Sequence, residues 1–433
     1  MKKNVLMVGV DQLSHGGMWT VAKSYIENKK YNENINLYYI PTATRRSKII
    51  KIFFFITALF KIAWVLLTKK IDIVHIHMAE GKSVDRQAVV IKISRIAGCK
   101  IIVQMHAGPF MNWYEKTSES MQRKARRTLN AADYLLVLGE YFKEQMAAIV
   151  EPQKMLVLYN GIECPPQNEY SLKATDVSFF AYLRKTKGIY ELLEAIEEIE
   201  DQLPKETKVN LCGVSDEFDI EQYLIEHNLN NRIIYHGWVD GQKRSEIERN
   251  TAINVLPTYS EGLSMTVLES MARGIPIITT DTTMPELLGG IIDLCPVGNA
   301  KSLAQMINNL MSHPEMRMRV SQMEFDRVSH KFSVESMIDN TLEIYTKIMV
   351  EQQKKIRGHI MYMHGGSGNH GCEAIINSTC NMVETPVAVL SARAEEDRKY
   401  SLKDLCEIYQ ERNVTSNIWI HGVYYFLKKI LRQ

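Results

Sequence analysis

The chain of 433 residues lacks any Cys-x-x-Cys pair, and its seven cysteines (99, 164, 212, 295, 372, 380, 406) are scattered and odd in number. That excludes a disulfide scaffold and a structural zinc site, and it suits reduced thiols in a cytosolic compartment. An excess of either charge is also missing. Fifty-two basic side chains face 50 acidic ones, a net charge of +2, which is too little to neutralise a phosphate backbone, so nucleic acid is excluded as a partner. There is no Asp-x-Asp pair to hold a divalent metal, and the first glycine loop, Asp11–Gly17, lacks the G-x-G-x-x-G spacing of a dinucleotide fold. Met1-Lys2-Lys3-Asn4 runs directly into an apolar run, Val5–Val10, so no cleavable signal peptide is expected.

Apolar content of 45% is enough for two full domains and a remainder. Short apolar runs at Val5–Val10, Ile35–Ile40, Ile71–Ile76, Lys100–Met105, Tyr134–Leu138 and Met155–Leu158 predict buried parallel strands, with helical patterns between them. The turn Asn160-Gly161 and the linker to Pro166 follow. The pattern then restarts at Val177–Ala181, Lys208–Cys212, Ile233–His236, Ile253–Leu256, Pro276–Thr279 and Gly290–Leu294. The expected fold class is α/β, two Rossmann-like doubly wound domains facing each other across a cleft.

Ile49–Thr68 is nearly all apolar and is flanked by Arg45, Arg46 and Lys48 on one side and Lys69 and Lys70 on the other. Its length permits a membrane span, but Lys51 and Lys61 leave only nine uncharged residues between them. A buried or half-buried domain helix and a helix lying in a membrane interface both fit better.

Ser260 to Pro276 carries the densest chemistry. Glu261 and Glu269 stand eight residues apart around an expected helix start, with Ser264 at the N-cap position and Gly274 at the end. Free N–H groups and the dipole at such a start make an anion site after a strand. This stretch resembles the Glu-x7-Glu signature of retaining glycosyltransferases of the GT-B fold, glycosyltransferase family 4, and the likeness runs from about residue 4 to about residue 350. The resemblance implies an acceptor domain at 1–164 and a nucleotide-sugar donor domain at 165–333. A helix at 334–355 would cross back to the first domain.

The resemblance also assigns roles. Glu269 would accept hydrogen bonds from ribose hydroxyls, Glu261 would contact the donor sugar, and backbone amides around Leu263, Ser264, Met265, Thr266 and Val267 would hold the diphosphate. Gly16 and Gly17, in the first strand-to-helix loop, would approach the diphosphate and acceptor without a Cβ in the way. His106, at the carboxyl end of Lys100–Met105, would reach the donor sugar. Lys187 would neutralise the leaving diphosphate. The family's arginine five residues earlier is Tyr182 here, and Arg184 is the expected substitute. No cofactor or metal is expected. The implied partners are a nucleotide-diphosphate sugar, a lipid-linked saccharide acceptor, and a membrane surface met through 49–68, with the protein peripheral at the inner face of a bacterial plasma membrane. The alternative is a catalytically silent sugar-nucleotide-binding subunit of a polysaccharide assembly complex; a nucleotide-sugar epimerase is disfavoured by the paired glutamates.

After Lys355 the run His364-Gly365-Gly366-Ser367-Gly368-Asn369-His370-Gly371-Cys372-Glu373-Ala374 resembles the opening of a polysaccharide pyruvyl transferase. Residues 356–433 are accordingly expected to be a truncated appendage of that kind, without activity of its own.

Overall fold

The computed structural model describes residues 2–14, 17–106, 108, 110–282, 285–356, 359–362, 378, 387–391 and 407–410. The chain divides into two compact units. Met1–Ala63, Ile71–Arg95 and Cys99–Thr341 form the first, and Trp64–Lys70, Ile96–Gly98 and Leu342–Gln433 form the second.

The first unit holds two parallel sheets. One contains β1 (Lys3–Val10), β2 (Ile35–Ala43), β3 (Ile73–Met78), β4 (Lys100–Met105), β5 (Tyr134–Val137) and β6 (Met155–Val157), in the order β2-β1-β3-β4-β5-β6. The other contains β7 (Asp176–Phe180), β8 (Val209–Cys212), β9 (Ile233–Gly237), β10 (Thr251–Leu256) and β11 (Ile277–Thr279), in the order β11-β10-β7-β8-β9. Continuous apolar runs form these strands because a parallel sheet is covered on both faces; β3, β7, β8 and β10 are buried at every position. Strand order reverses between β1 and β3 and again between β7 and β10, and open α/β sheets bind ligands outside the carboxyl ends of strands at such switch points. The second unit carries a further parallel sheet, β12 (His359–Tyr362), β13 (Val387–Ser391) and β14 (Glu407–Gln410). The glycine-rich run from His364 lies outside the described residues.

One expectation needs correcting. Gly290–Leu294 is not a strand: the short helix Pro285–Leu288 ends there, Gly290 takes the left-handed conformation (φ 79°), and only Cys295 bridges back, to Thr280. The helix from Ile189 stops at Ile199 and tightens into a 3-10 turn, Glu200–Gln202.

The apolar stretch forms one helix of 21 residues, Lys48–Thr68, with a mean hydropathy of 2.2 over its best window. It is the crossover from β2 to β3, two parallel strands of the same sheet, and that connection returns the chain to the side it left. Ala58 and Ile62 are buried, while Ile49, Ile52, Phe53, Ile56 and Phe60 are exposed at 42 to 73%. The spacing of those five places them on one side of the helix. Only 17% of that window is buried, so a wide apolar face is left open.

On β3, His75 and His77 point to the face covered by the helix Gly17–Glu27, where Tyr25 packs edge-on against both rings. His77 stacks between His75 and His106, and its Nδ1 lies 2.7 Å from His106 Nε2. Burial lowers the pKa of His75 and of His106 to about 3 and carries His77 well below the usual histidine value, with the neighbouring imidazoles lowering His77 and His106 further. His106 as a residue is only half-buried, but its Nδ1 is enclosed. These groups fold neutral and would gain protons on unfolding below pH about 6.5. Their stabilising contribution is present above that pH and is lost as pH falls toward 3, by about 1.4 kcal/mol per histidine per pH unit. Denaturant midpoints measured from pH 7.5 to 4.5 should fall steeply, and a His75→Gln variant should show a shallower slope; equal slopes would mean the imidazoles are not held neutral.

Candidate functional site

The signature segment leaves β10 as a loop and re-enters as the helix Met265–Ala272. Ser264 sits at the N-cap with extended backbone (φ −69°, ψ 115°), but its hydroxyl makes no cap hydrogen bond, contrary to the expectation from its residue type. Leu268 N makes a bond of 3.1 Å to Ser264 O. The N–H groups of Met265, Thr266 and Val267 precede it and point out of the helix end. Leu263, Ser264 and Val267 have buried side chains, so these positions can offer a ligand only backbone.

Glu261, in the loop before this helix, is ion-paired with Lys187. Lys187 ends a 3-10 turn after β7, and Gly188 follows it with φ 77°. A Cβ at Gly188 would stand 1.9 Å from Pro257 O, so only glycine lets the two loops pass. Thr258 Oγ1 and Tyr259 N both donate to Thr186 O, at 3.1 and 3.0 Å, and stitch the loops together. The lysine and the first glutamate thus come from the two strands that flank the second switch point.

Arg184 is turned elsewhere. It forms a two-pronged ion pair with Asp216 after β8 and lies over the Tyr182 ring at 4.7 Å. The Asp216 carboxylate holds its guanidinium pKa up, and Asp216 is held down in return. Arg184 is therefore not gathered with Lys187 and Glu261. Tyr182, in the arginine position, pairs instead with the exposed Trp238, ring centres 6.2 Å apart.

Glu269 is also engaged. Arg244, on the helix Gly241–Asn250, donates to its Oε2 at 2.5 Å and to Glu248 at 2.8 Å, while packing 5.1 Å above the Phe180 ring. Arg273 approaches Glu248 from the other side at 3.6 Å. The sequence reading missed Arg244 because it lies 25 positions from Glu269 on another helix; only the strand order brings the two together.

Loops of the first sheet meet this site. Gly17 lies against Met265, the first residue of the signature helix, with 3.5 Å between a Cβ built on the glycine and Met265 Cγ. Gly16 lies outside the described residues. After β4 and His106, Gly108 packs backbone against backbone on Gly262: a Cβ at Gly108 would stand 2.1 Å from Gly262 Cα. Glu286 Oε1 accepts from Glu140 N (2.8 Å) and Tyr141 N (3.3 Å), capping the helix Glu140–Met146 of the first sheet's layer. Tyr25 and Thr341 share a hydrogen bond of 2.8 Å, which ties the helix Val334–Ile356 to the first sheet's layer. His106, Lys187, Glu261 and the amides of Met265–Val267 thus belong to loops in mutual contact, with Glu269 one turn further along the helix. Among the described residues no cluster of three or more His, Cys, Asp or Glu could hold a metal ion. Gly108→Ala should force the two loops apart and destabilise the chain by about 1–3 kcal/mol, as overpacking does. The check is the urea midpoint at constant slope; an unchanged midpoint would mean that the contact is not held in solution.

The family described as Glycosyl transferases group 1 matches residues 165–325, which include every strand of the second sheet. An uncharacterised 41.2 kDa protein of the cps region of Klebsiella pneumoniae is 21% identical over 292 residues, covering 64% of this chain and 79% of that protein. A lipopolysaccharide 1,6-galactosyltransferase of Salmonella typhimurium is 27% identical over 172 residues, covering 37% of this chain and 46% of that enzyme. Among solved structures, HepE of Anabaena in complex with UDP superposes with a TM-score of 0.62 at 14% identity, over 80% of this chain and all of HepE. The fold is that of GT-B glycosyltransferases, and residues 165–325 match the glycosyltransferase group 1 family.

Proposed function

We propose that the chain is a retaining glycosyltransferase, moving a sugar from a nucleotide-diphosphate donor to a lipid-linked saccharide in bacterial surface polysaccharide assembly. The observation that carries the reading is the Lys187–Glu261 ion pair beside the open end of the helix Met265–Ala272, with the His106 loop pressed against it through Gly108. A diphosphate at the helix end would meet three N–H groups, the helix dipole and the Lys187 ammonium. Charge that develops on the leaving group is then met by fixed donors, without a metal. Glu261 would orient the sugar and Glu269, already held by Arg244, the ribose. His106 would donate or accept at the sugar from the facing domain.

Transfer would proceed on one face. The bond from the anomeric carbon to the phosphate oxygen breaks, the acceptor oxygen bonds to the same carbon from the same side, and its proton passes to the departing phosphate. UDP is the first nucleotide to test, since HepE binds it. The lipid-linked acceptor and a peripheral position at the inner membrane face are supported by the open apolar face of Lys48–Thr68, and by the cps-region and lipopolysaccharide relatives.

A second reading, a catalytically silent sugar-nucleotide-binding subunit, is favoured by two details. Tyr182 replaces the family's arginine, and the nearby Arg184 is committed to Asp216. Turnover separates the two readings, because a silent subunit binds nucleotide but releases no free diphosphate from any donor.

Calorimetry with UDP, GDP, ADP and CMP should find one diphosphate that binds, and Glu269→Ala should abolish the binding; binding by none would undo the donor-site assignment. With the matching sugar nucleotide, Lys187→Ala should lower kcat by roughly 10²–10³. NMR of the first-formed product should show the donor's anomeric configuration, and an inverted product would rule out retention.

A further inference from the structure

One cavity has none of the signature residues in its lining. It is a groove of about 510 Å3 between the helices Lys82–Ile96 and Glu119–Asn130. Lys92, Arg95, Arg123, Lys124 and Arg127 line it, over a floor that includes Ala88, Ile91 and Ala131, and no acidic side chain is among the lining residues. Arg123 is paired with Glu119 at 3.2 Å, and Lys124 is paired with Asp85. Lys92, Arg95 and Arg127 have no ion-pair partner among the described residues. A chain with a net charge of only +2 thus gathers at least three unneutralised cations around one depression. Such crowding raises the local potential and draws anions to it.

The surroundings indicate which anion. The connections β2 to β3, β3 to β4 and β4 to β5 all advance in the same direction along the sheet. Right-handed crossovers then place Lys48–Thr68, Lys82–Ile96 and Glu119–Asn130 in one layer, on the face away from Gly17–Glu27. The exposed stripe Ile49, Ile52, Phe53, Ile56 and Phe60 therefore lies in the same layer as the basic groove. An apolar stripe and a cluster of cations in one helix layer match a bilayer interface, where acyl chains lie under phosphate headgroups. A free phosphate would have no use for the stripe.

We propose that this groove docks the phosphate headgroups of an anionic lipid surface, while the stripe of Lys48–Thr68 enters the apolar interface beside it. The proposal rests on the membrane reading above and adds the cations that make the contact, hence a dependence on lipid charge. It also separates the membrane face from the donor site, because none of the groove's cations belongs to the signature loops.

The test is co-sedimentation of the full chain with vesicles of phosphatidylcholine alone or mixed with phosphatidylglycerol, at low salt. Wild type should prefer the anionic vesicles, and added salt should erase the preference. Changing Lys92→Gln, Arg95→Gln and Arg127→Gln together should weaken binding to anionic vesicles about 100-fold, roughly fivefold per charge, and leave binding to neutral vesicles as it was. Should the triple variant not fold, each single change should give its own loss of about fivefold. Undiminished binding of the variants to anionic vesicles would overturn the proposal. So would displacement of wild type by inorganic phosphate beyond the effect of chloride at equal ionic strength, since the groove would then be a free-phosphate site. A Phe53→Ser, Phe60→Ser variant should lose both vesicle types. If that variant behaves so while the triple variant keeps its anionic preference, the groove proposal alone fails; if wild type binds neither vesicle, the membrane reading fails with it.

Discussion

Gly108 and Gly262 touch through their backbones, and no side chain would fit between them. The arrangement of the site depends on that close approach. A parallel sheet offers a ligand only its carboxyl edge, where the loops carry unpaired backbone and the strands' side chains end. Two such edges make a two-sided site only if their loops can meet without filling the space a substrate needs. Glycine on both sides permits the meeting, Gly17 against Met265 repeats it at the signature helix, and the Glu286 carboxylate caps a helix across the same boundary.

Charge within the site is held in pairs. Lys187 meets Glu261, and Arg244 divides itself between Glu269 and Glu248. A cation within contact distance fixes the direction in which each carboxylate points. In the facing domain the solution is the reverse. His75, His77 and His106 are kept neutral by burial, stacked so that each limits the movement of the next. One half of the site is thus charged in pairs and the other uncharged.

Much of this was legible in the chain. Continuous apolar runs gave eleven of the twelve expected strands of the two sheets, because strands covered on both faces have no polar side to blur the pattern. The exception, Gly290–Leu294, has the same local composition, but Gly290 turns left-handed and a single bridge at Cys295 is all that reaches the sheet edge. Glu261, Lys187 and the helix end after Ser264 were readable as a group because their spacing is local or falls after recognisable strands. The partner of Arg184 was not readable, for the opposite reason. The nearness of Arg184 to Lys187 in sequence says nothing about Asp216, which lies 32 residues away after the neighbouring strand and captures it.

By itself the sequence determined the parallel sheets, the glycine positions, the anion-ready helix end and the apolar stretch Ile49–Thr68, since each follows from local periodicity or from the special freedom of a residue type. Tertiary structure alone decided which cation serves which carboxylate, that the apolar stretch is a crossover helix with one face open, and that five scattered cations from two helices share a single groove. Those outcomes depend on strand order and crossover hand, which bring distant residues within a few ångströms and leave no mark in the spacing of the chain.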